Sequence, residues 1–451
     1  MTGVSLSRWT MSYFAVALAA LVLGEALMLA GYGFPAAPLR APQTLVLVHL
    51  IAIGWLSLLL CGALFQFVPV LVARNLHSDT LPLPALVLLV AGLGLLLCGF
   101  LQLAGTIAPT PSLLPYAATA LAAGFAIVLY NLGRTLWAAR PLPLPARFVA
   151  VGLACLAATV TLGAIFSFAF AALLPSEALA AIAASGLPLH IIAGLGGWLT
   201  FVAMGVGYRL LAMFMLAPEL DGLRPRTALW LGAGALAVAI VGGLALALLD
   251  ISVFPALLAS AVLGAVSLAL YGADIVYLYR ARKRRIIELN SQMAALALLS
   301  LATAAVLGAV LLALGLFFDQ IGTLVFLLAF GWLGGLGLAK LYKIVAFLTW
   351  LECYGPVLGK QPTPRVQDLV VEARARKWFL LYYAAVWSGS VALAIAQPLL
   401  FRLAAGAMLV ATIAIAAQLV RTRLLSDVAA GNRLPEGAHR PHLLISLAAT
   451  G

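Results

Sequence analysis

Charge is what this chain has least of. Only 9% of its 451 residues are Asp, Glu, Lys or Arg, where a soluble domain carries about 25%. That is too little polar surface to coat a water-facing globule. Cysteine is scarce as well. Cys61, Cys98, Cys155 and Cys353 stand singly, with no Cys-x-x-Cys pair, which excludes a disulfide framework and a zinc cluster. Long polar stretches are missing, apart from 353–377 and a tail from about 422. Neither is long enough for a second domain with its own core. Histidine occurs only five times, so a centre that needs many imidazoles cannot be assembled.

What fills the chain is apolar. Hydrophobic residues make up 65% of it, and the mean hydropathy is +1.14. The runs are continuously apolar and helix-length, without the alternation of barrel strands. The solvent must be lipid, where helices satisfy their own backbone. The fold class is therefore all-α and polytopic, a single transmembrane domain over 1–451 with a cytoplasmic tail at 422–451. Twelve spans are predicted, at about 11–31, 44–72, 82–105, 114–138, 148–173, 187–216, 227–248, 252–281, 290–317, 321–352, 378–396 and 399–421. The first run is too long for a signal peptide and reads as a retained helix.

Lys and Arg set the orientation. One set of loops holds Arg74, Arg134, Arg140, Arg147, Arg224, Arg226, the cluster Arg280, Arg282, Lys283, Arg284 and Arg285, and then Lys360, Arg365, Arg374, Arg376 and Lys377. The opposite loops hold only Arg40 and Arg402. Both termini are therefore expected in the cytoplasm, in an inner (plasma) membrane of bacterial type. The net charge of +12 is mostly this bias. The 280–285 cluster reads as an anchor on anionic lipid, and with no soluble domain beside it nucleic acid is not an expected partner.

One pattern occurs three times. Gly54-Trp55-Leu56, Gly197-Trp198-Leu199 and Gly331-Trp332-Leu333 lie 143 and 134 residues apart. Seven residues after each Trp stands a small residue: Gly62, Gly205, Ala339. Ten after stands an aromatic: Phe65, Tyr208, Tyr342. Eleven after stands a long polar side chain: Gln66, Arg209, Lys343. Repeats of this kind organise a fold. They divide the twelve spans into blocks of four at about 1–140, 141–285 and 286–421, with the motif on spans two, six and ten. The Trp residues lie several turns inside, away from the interfacial belt. They either pack the bundle or line a cavity.

Ionisable residues inside the apolar runs are the candidates for function. They are Glu25, His49 and His190 in the outer half, and Asp274, Lys340 and Lys343 toward the cytoplasmic ends of spans eight and ten. A neutral imidazole at His49 or His190 would ligate a haem iron or copper, or else would satisfy a carbonyl. Glu25 is either a proton-carrying carboxyl or a hydrogen-bond partner of His49. Asp274 is positioned to pair with Lys340 or Lys343, as a buried ion pair that fixes packing. Gln66 and Tyr208, from the repeat, join this set as candidates for supporting a ligand or handling a proton.

The layout resembles the catalytic subunit of haem-copper oxidases, in which twelve helices form three arcs of four and helices two, six and ten carry metal ligands. Span two reads His49, Gly62, Pro69, similar to the oxidase helices in which a haem-ligating His precedes Gly and Pro. His49 matches the low-spin haem ligand on helix two, and His190 falls on helix six, where the oxidases place a copper ligand. Other positions depart from the pattern. Span ten has no His, span seven has none, and Gly194 stands where the tyrosine after the helix-six His is expected. The resemblance implies a degenerate relative that binds haem or copper at His49, with His190 as partner. It would sense, handle or deliver haem, copper or nitric oxide, alongside respiratory-chain or haem- and copper-handling proteins. It would not be a working terminal oxidase. A transporter using pores between blocks and an assembly factor without a site are the alternative classes.

Overall fold

The computed structural model describes residues 7–446. Every regular element in it is helical. Among the described residues eleven helices are long and apolar enough to cross a membrane, so this is a multi-pass membrane protein. They are α1 (Thr10–Ala30), α2 (Pro42–Val72), α3 (Pro82–Leu103), α4 (Leu114–Ala138), α5 (Leu144–Phe170), α6 (Leu187–Met215), α7 (Leu223–Leu248), α8 (Phe254–Arg280), α9 (Leu289–Ala313), α10 (Ile321–Val357) and α12 (Pro398–Arg423). Between the last two lies α11 (Glu372–Ala394), a helix of 23 residues. It starts earlier than the apolar run near 378 suggests. Glu372, Arg374, Arg376 and Lys377 occupy its first turns, and these charges leave it short of the apolarity of the rest.

Proline starts many of these helices. It occupies the first or second position of α2, α3, α4, α5, α6, α8 and α12. Its missing N–H would be an orphan there in any case, and its fixed φ suits the first turn. A short helix, Glu177–Ser185, lies in the connection before α6 and is capped by the Ser176 hydroxyl.

The motif helices are not plain α-helices. Leu50–Ser57 of α2, Ile192–Phe201 of α6 and Leu327–Gly334 of α10 are π-helical. Each segment contains one Gly-Trp-Leu copy. A further π segment, Val238–Gly242, interrupts α7. A π turn inserts a residue into the ladder and rotates the remainder of the helix, and such turns gather at functional sites.

The helices form two compact units. Unit one takes the residues up to Gln66 and those from Ile287 onward, and unit two takes Phe67–Ile286. In unit one, α1 packs against α12 and the π segment of α2, and α9 packs along α10. The start of α1 and the residues just before it pair with the tail: Ser446 N–H donates to the Arg8 carbonyl (2.9 Å) and the Ser12 hydroxyl to the Leu444 carbonyl (2.6 Å). The end of α10, the stretch that follows it and the residues after α12 share a small apolar cluster of Cys353, Tyr354, Val357, Leu369, Leu425 and Val428. In unit two, α3 pairs with α4, α5 with α6, and α7 with α8.

The small residue of the motif marks where a neighbouring helix comes closest. A Cβ on Gly62 would lie 2.6 Å from Cβ of Tyr13 on α1. One on Gly205 would lie 2.8 Å from the Pro145 carbonyl on α5 and against Phe148. The aromatic of the motif meets the same neighbours. Phe65 packs edge-on to Tyr13 (centroids 5.6 Å apart) and Tyr208 packs on Phe148 (5.5 Å).

Candidate functional site

Both intramembrane histidines sit where an α-helix turns into a π segment. His49 ends the α-helical start of α2, and the π segment begins at Leu50. His190 is in the short α-helical start of α6, Leu187–Ile191, with the π segment from Ile192. The third junction, on α10, is occupied by Phe326. His49 Nδ1 is 2.9 Å from the Leu45 carbonyl, and His190 Nδ1 is 3.0 Å from the Thr159 carbonyl on α5. A carbonyl only accepts, so Nδ1 carries the proton in both rings and Nε2 carries the lone pair. That is the tautomer in which Nε2 ligates a metal. His49 belongs to unit one and His190 to unit two. Both are half-buried.

The Gly62 face of α2 is covered by Tyr13 and Phe14 of α1. It is a helix contact and leaves no room there for a planar group. Among the described residues there is also no group of three or more His, Cys, Asp or Glu placed to hold a metal ion. The donors therefore do not fit a centre of two metals.

Glu25 is fully buried on α1. Its Oε1 accepts a hydrogen bond from the Thr412 hydroxyl on α12 (2.9 Å). Its Oε2 is buried and has no hydrogen-bond partner among the described residues. Tyr382 of α11 lies within electrostatic range of Glu25 and donates to the Phe330 carbonyl in the π segment of α10 (3.1 Å). Trp55, Trp198 and Trp332 are 0%, 2% and 0% exposed, so all three face the interior. The indole N–H groups of Trp55 and Trp332 have no hydrogen-bond partner among the described residues. A Cβ on Gly334 would fall 2.9 Å from the Tyr382 hydroxyl and 3.5 Å from Trp55 Nε1, so these two polar groups converge on one bare patch of α10.

The other charged candidates have partners within their own units. Asp274 accepts from the Tyr208 hydroxyl (2.9 Å) and lies 3.3 Å from the Arg224 guanidinium. Lys343 pairs with Glu288 (2.9 Å), the residue just before α9. Lys340 is buried on the same helix. The motif's third polar position follows one rule. Gln66 accepts from the backbone N–H of Ser7 (3.0 Å), Arg209 pairs with Glu219, and Lys343 pairs with Glu288. Each ties its helix to a residue outside the spanning helices. Glu288 and Arg224 lie at the helix–loop margin, where apolar runs give no signal, so nothing in the sequence marks either as a partner.

The most buried ion pair among the described residues is equally silent in the sequence. Arg423 and Glu352 are 2.9 Å apart, with side chains 4% exposed each. Arg423 also donates to the Thr349 hydroxyl (3.0 Å) and to the His442 carbonyl of the tail. Beside it Asp427 accepts from Arg374 and Arg421. Burial works to raise the Asp427 carboxyl, but hydrogen bonds from the two guanidiniums outweigh it and hold the group below the usual carboxylate range. A carboxyl depressed by folding adds stability above its unfolded value and loses it as pH falls through the folded one. Thermal stability should therefore drop below about pH 4, and Asp427→Asn should flatten that drop. Parallel melting curves of parent and variant from neutral to acid pH check this; curves that stay parallel throughout would contradict it.

No protein-family model and no curated protein sequence matches this chain significantly.

Proposed function

We propose that the chain is a twelve-span membrane protein of oxidase-like architecture, with both termini cytoplasmic, that binds a haem through His49 and does not reduce oxygen. What supports this reading is the paired placement of His49 and His190 at α-to-π junctions, each with Nδ1–H held by a backbone carbonyl and the lone pair on Nε2. Haem is favoured over copper by the donor count. A porphyrin brings four nitrogens of its own and asks the protein for one, whereas copper must take all its ligands from side chains. Without a second metal site, oxygen reduction has no centre to run on. The role left is to sense, handle or deliver the bound group or a small gas such as nitric oxide, next to respiratory-chain or haem-handling partners in a bacterial-type inner membrane.

The visible spectrum of the purified protein tests this. A Soret band is expected, abolished by His49→Ala. If the parent has no such band, or if His49→Ala keeps it at equal absorbance per mole, His49 is a packing residue. The transporter or assembly reading then replaces this one.

A further inference from the structure

Glu25 is the only acidic residue on α1, and it is placed where a fixed charge is hardest to keep. It is fully buried, and among the described residues it has one hydrogen-bond donor, Thr412, and no Lys, Arg or His in an ion pair with it. A carboxylate taken out of water with so little compensation costs several kcal/mol, on the order of the penalty for any uncompensated buried ion. A neutral acid avoids that cost. The elements packed on this part of α1 are α12 and the π segment of α2. The titratable group facing Glu25 from beyond them is Tyr382 on α11. Nearest to Gly24, the π segment presents the apolar chains of Ile51 and Leu50.

Two polar atoms in unit one then ask for the same kind of partner. Glu25 Oε2 is buried and unpaired among the described residues, and so is Trp55 Nε1. The Tyr382 hydroxyl, already donating to Phe330, converges with Trp55 on Gly334. An indole N–H needs an acceptor, and a protonated carboxyl needs one as well. Water supplies both roles and a metal cation supplies neither. Buried polar groups left open in this way are ordinarily satisfied by internal water.

We propose that Glu25 is a membrane-embedded proton site: a carboxylic acid that binds and releases a proton through internal water between the π segments of α2 and α10. The inference does not rest on haem binding. The step is a simple transfer. The Oε2–H bond breaks, the proton passes to water, and Thr412 stays as donor to the carboxylate that forms.

A lipid-soluble carbodiimide, which modifies carboxyls only in their protonated form, tests this on the whole protein in detergent or nanodiscs. Peptide mass mapping reads the label at Glu25 against pH. Labelling at Glu25 that falls as pH rises, with no effect of sodium, is expected. Glu25→Gln should lose that label while eluting as the same monodisperse species. Thr412→Val removes the hydrogen bond that favours the anion, so its labelling midpoint should move to higher pH. A purely structural acid would be unlabelled at every pH in the native protein yet labelled after denaturation, and that outcome overturns the proposal. Protection by sodium at fixed pH would make this a cation site and overturn it equally.

Discussion

Arg423→Ala is expected to destabilise the protein by about 3–5 kcal/mol, the loss seen when one partner of a buried ion pair is removed. The size follows from the groups left behind. Glu352, with a side chain 4% exposed, would lose its guanidinium partner. Thr349 and the His442 carbonyl would lose their donor at the same time. Glu352→Gln should cost less, since a neutral amide still accepts from the guanidinium. Replacing both members with apolar residues, Glu352→Leu with Arg423→Met, should recover part of the loss, because no charge is then stranded. Recovery should stay incomplete, since the tail carbonyl still lacks its partner. Detergent-solubilised thermal melts of the three variants decide it. An Arg423→Ala protein that melts with the parent would show that the pair contributes nothing.

Gly205→Val should rank next, through crowding and not charge. Any Cβ there meets the Pro145 carbonyl at 2.8 Å as well as Phe148. The obstacle is partly backbone, so α5 and α6 must separate. Overpacking of this kind costs about 1–3 kcal/mol. Gly133 makes the control: a Cβ there meets nothing within 4 Å. Gly133→Ala, on the same unit, should be neutral or stabilising by up to about 1 kcal/mol, because Ala favours the helix. Equal melting of Gly205→Val and Gly133→Ala would mean that the α5–α6 approach is not a constraint.

These positions also indicate how much can be read from residues alone. The apolar runs locate the helices and their ends to within a few residues, because hydropathy over a helix length reports burial in lipid directly. The spacing around Gly-Trp-Leu picks out positions whose roles only the packed chain displays. Gly62 and Gly205 are points of close helix approach, and Gln66, Arg209 and Lys343 all anchor loops. Neither role is visible in the sequence, because small and long polar residues serve many purposes. The π segments are not legible at all. A helix with i→i+5 bonds has the same composition as one with i→i+4 bonds, and hydropathy does not distinguish them. The ion-pair partners are hidden for a related reason. Asp274 and Lys343 take Arg224 and Glu288, partners at helix margins whose proximity is a property of the packed chain. Glu25 stands out by cost alone, and Thr412, 387 positions away, cannot be paired with it from sequence.

The division of the chain also orders its birth. Unit one is built from the first 66 residues and from those after Ile287, and the 220 residues from Phe67 to Ile286 stand between (286 − 67 + 1). At about 5–20 residues per second, α1 and α2 wait roughly 10–40 s in the bilayer before their companions emerge. Through that interval Glu25 has no Thr412 beside it, and the indole of Trp55 has no α10 to cover it. The nascent protein must therefore carry an unsheltered acid among lipid chains until the last helix arrives. A ribosome stalled before α12 would hold this half-made state long enough for membrane quality control to see it.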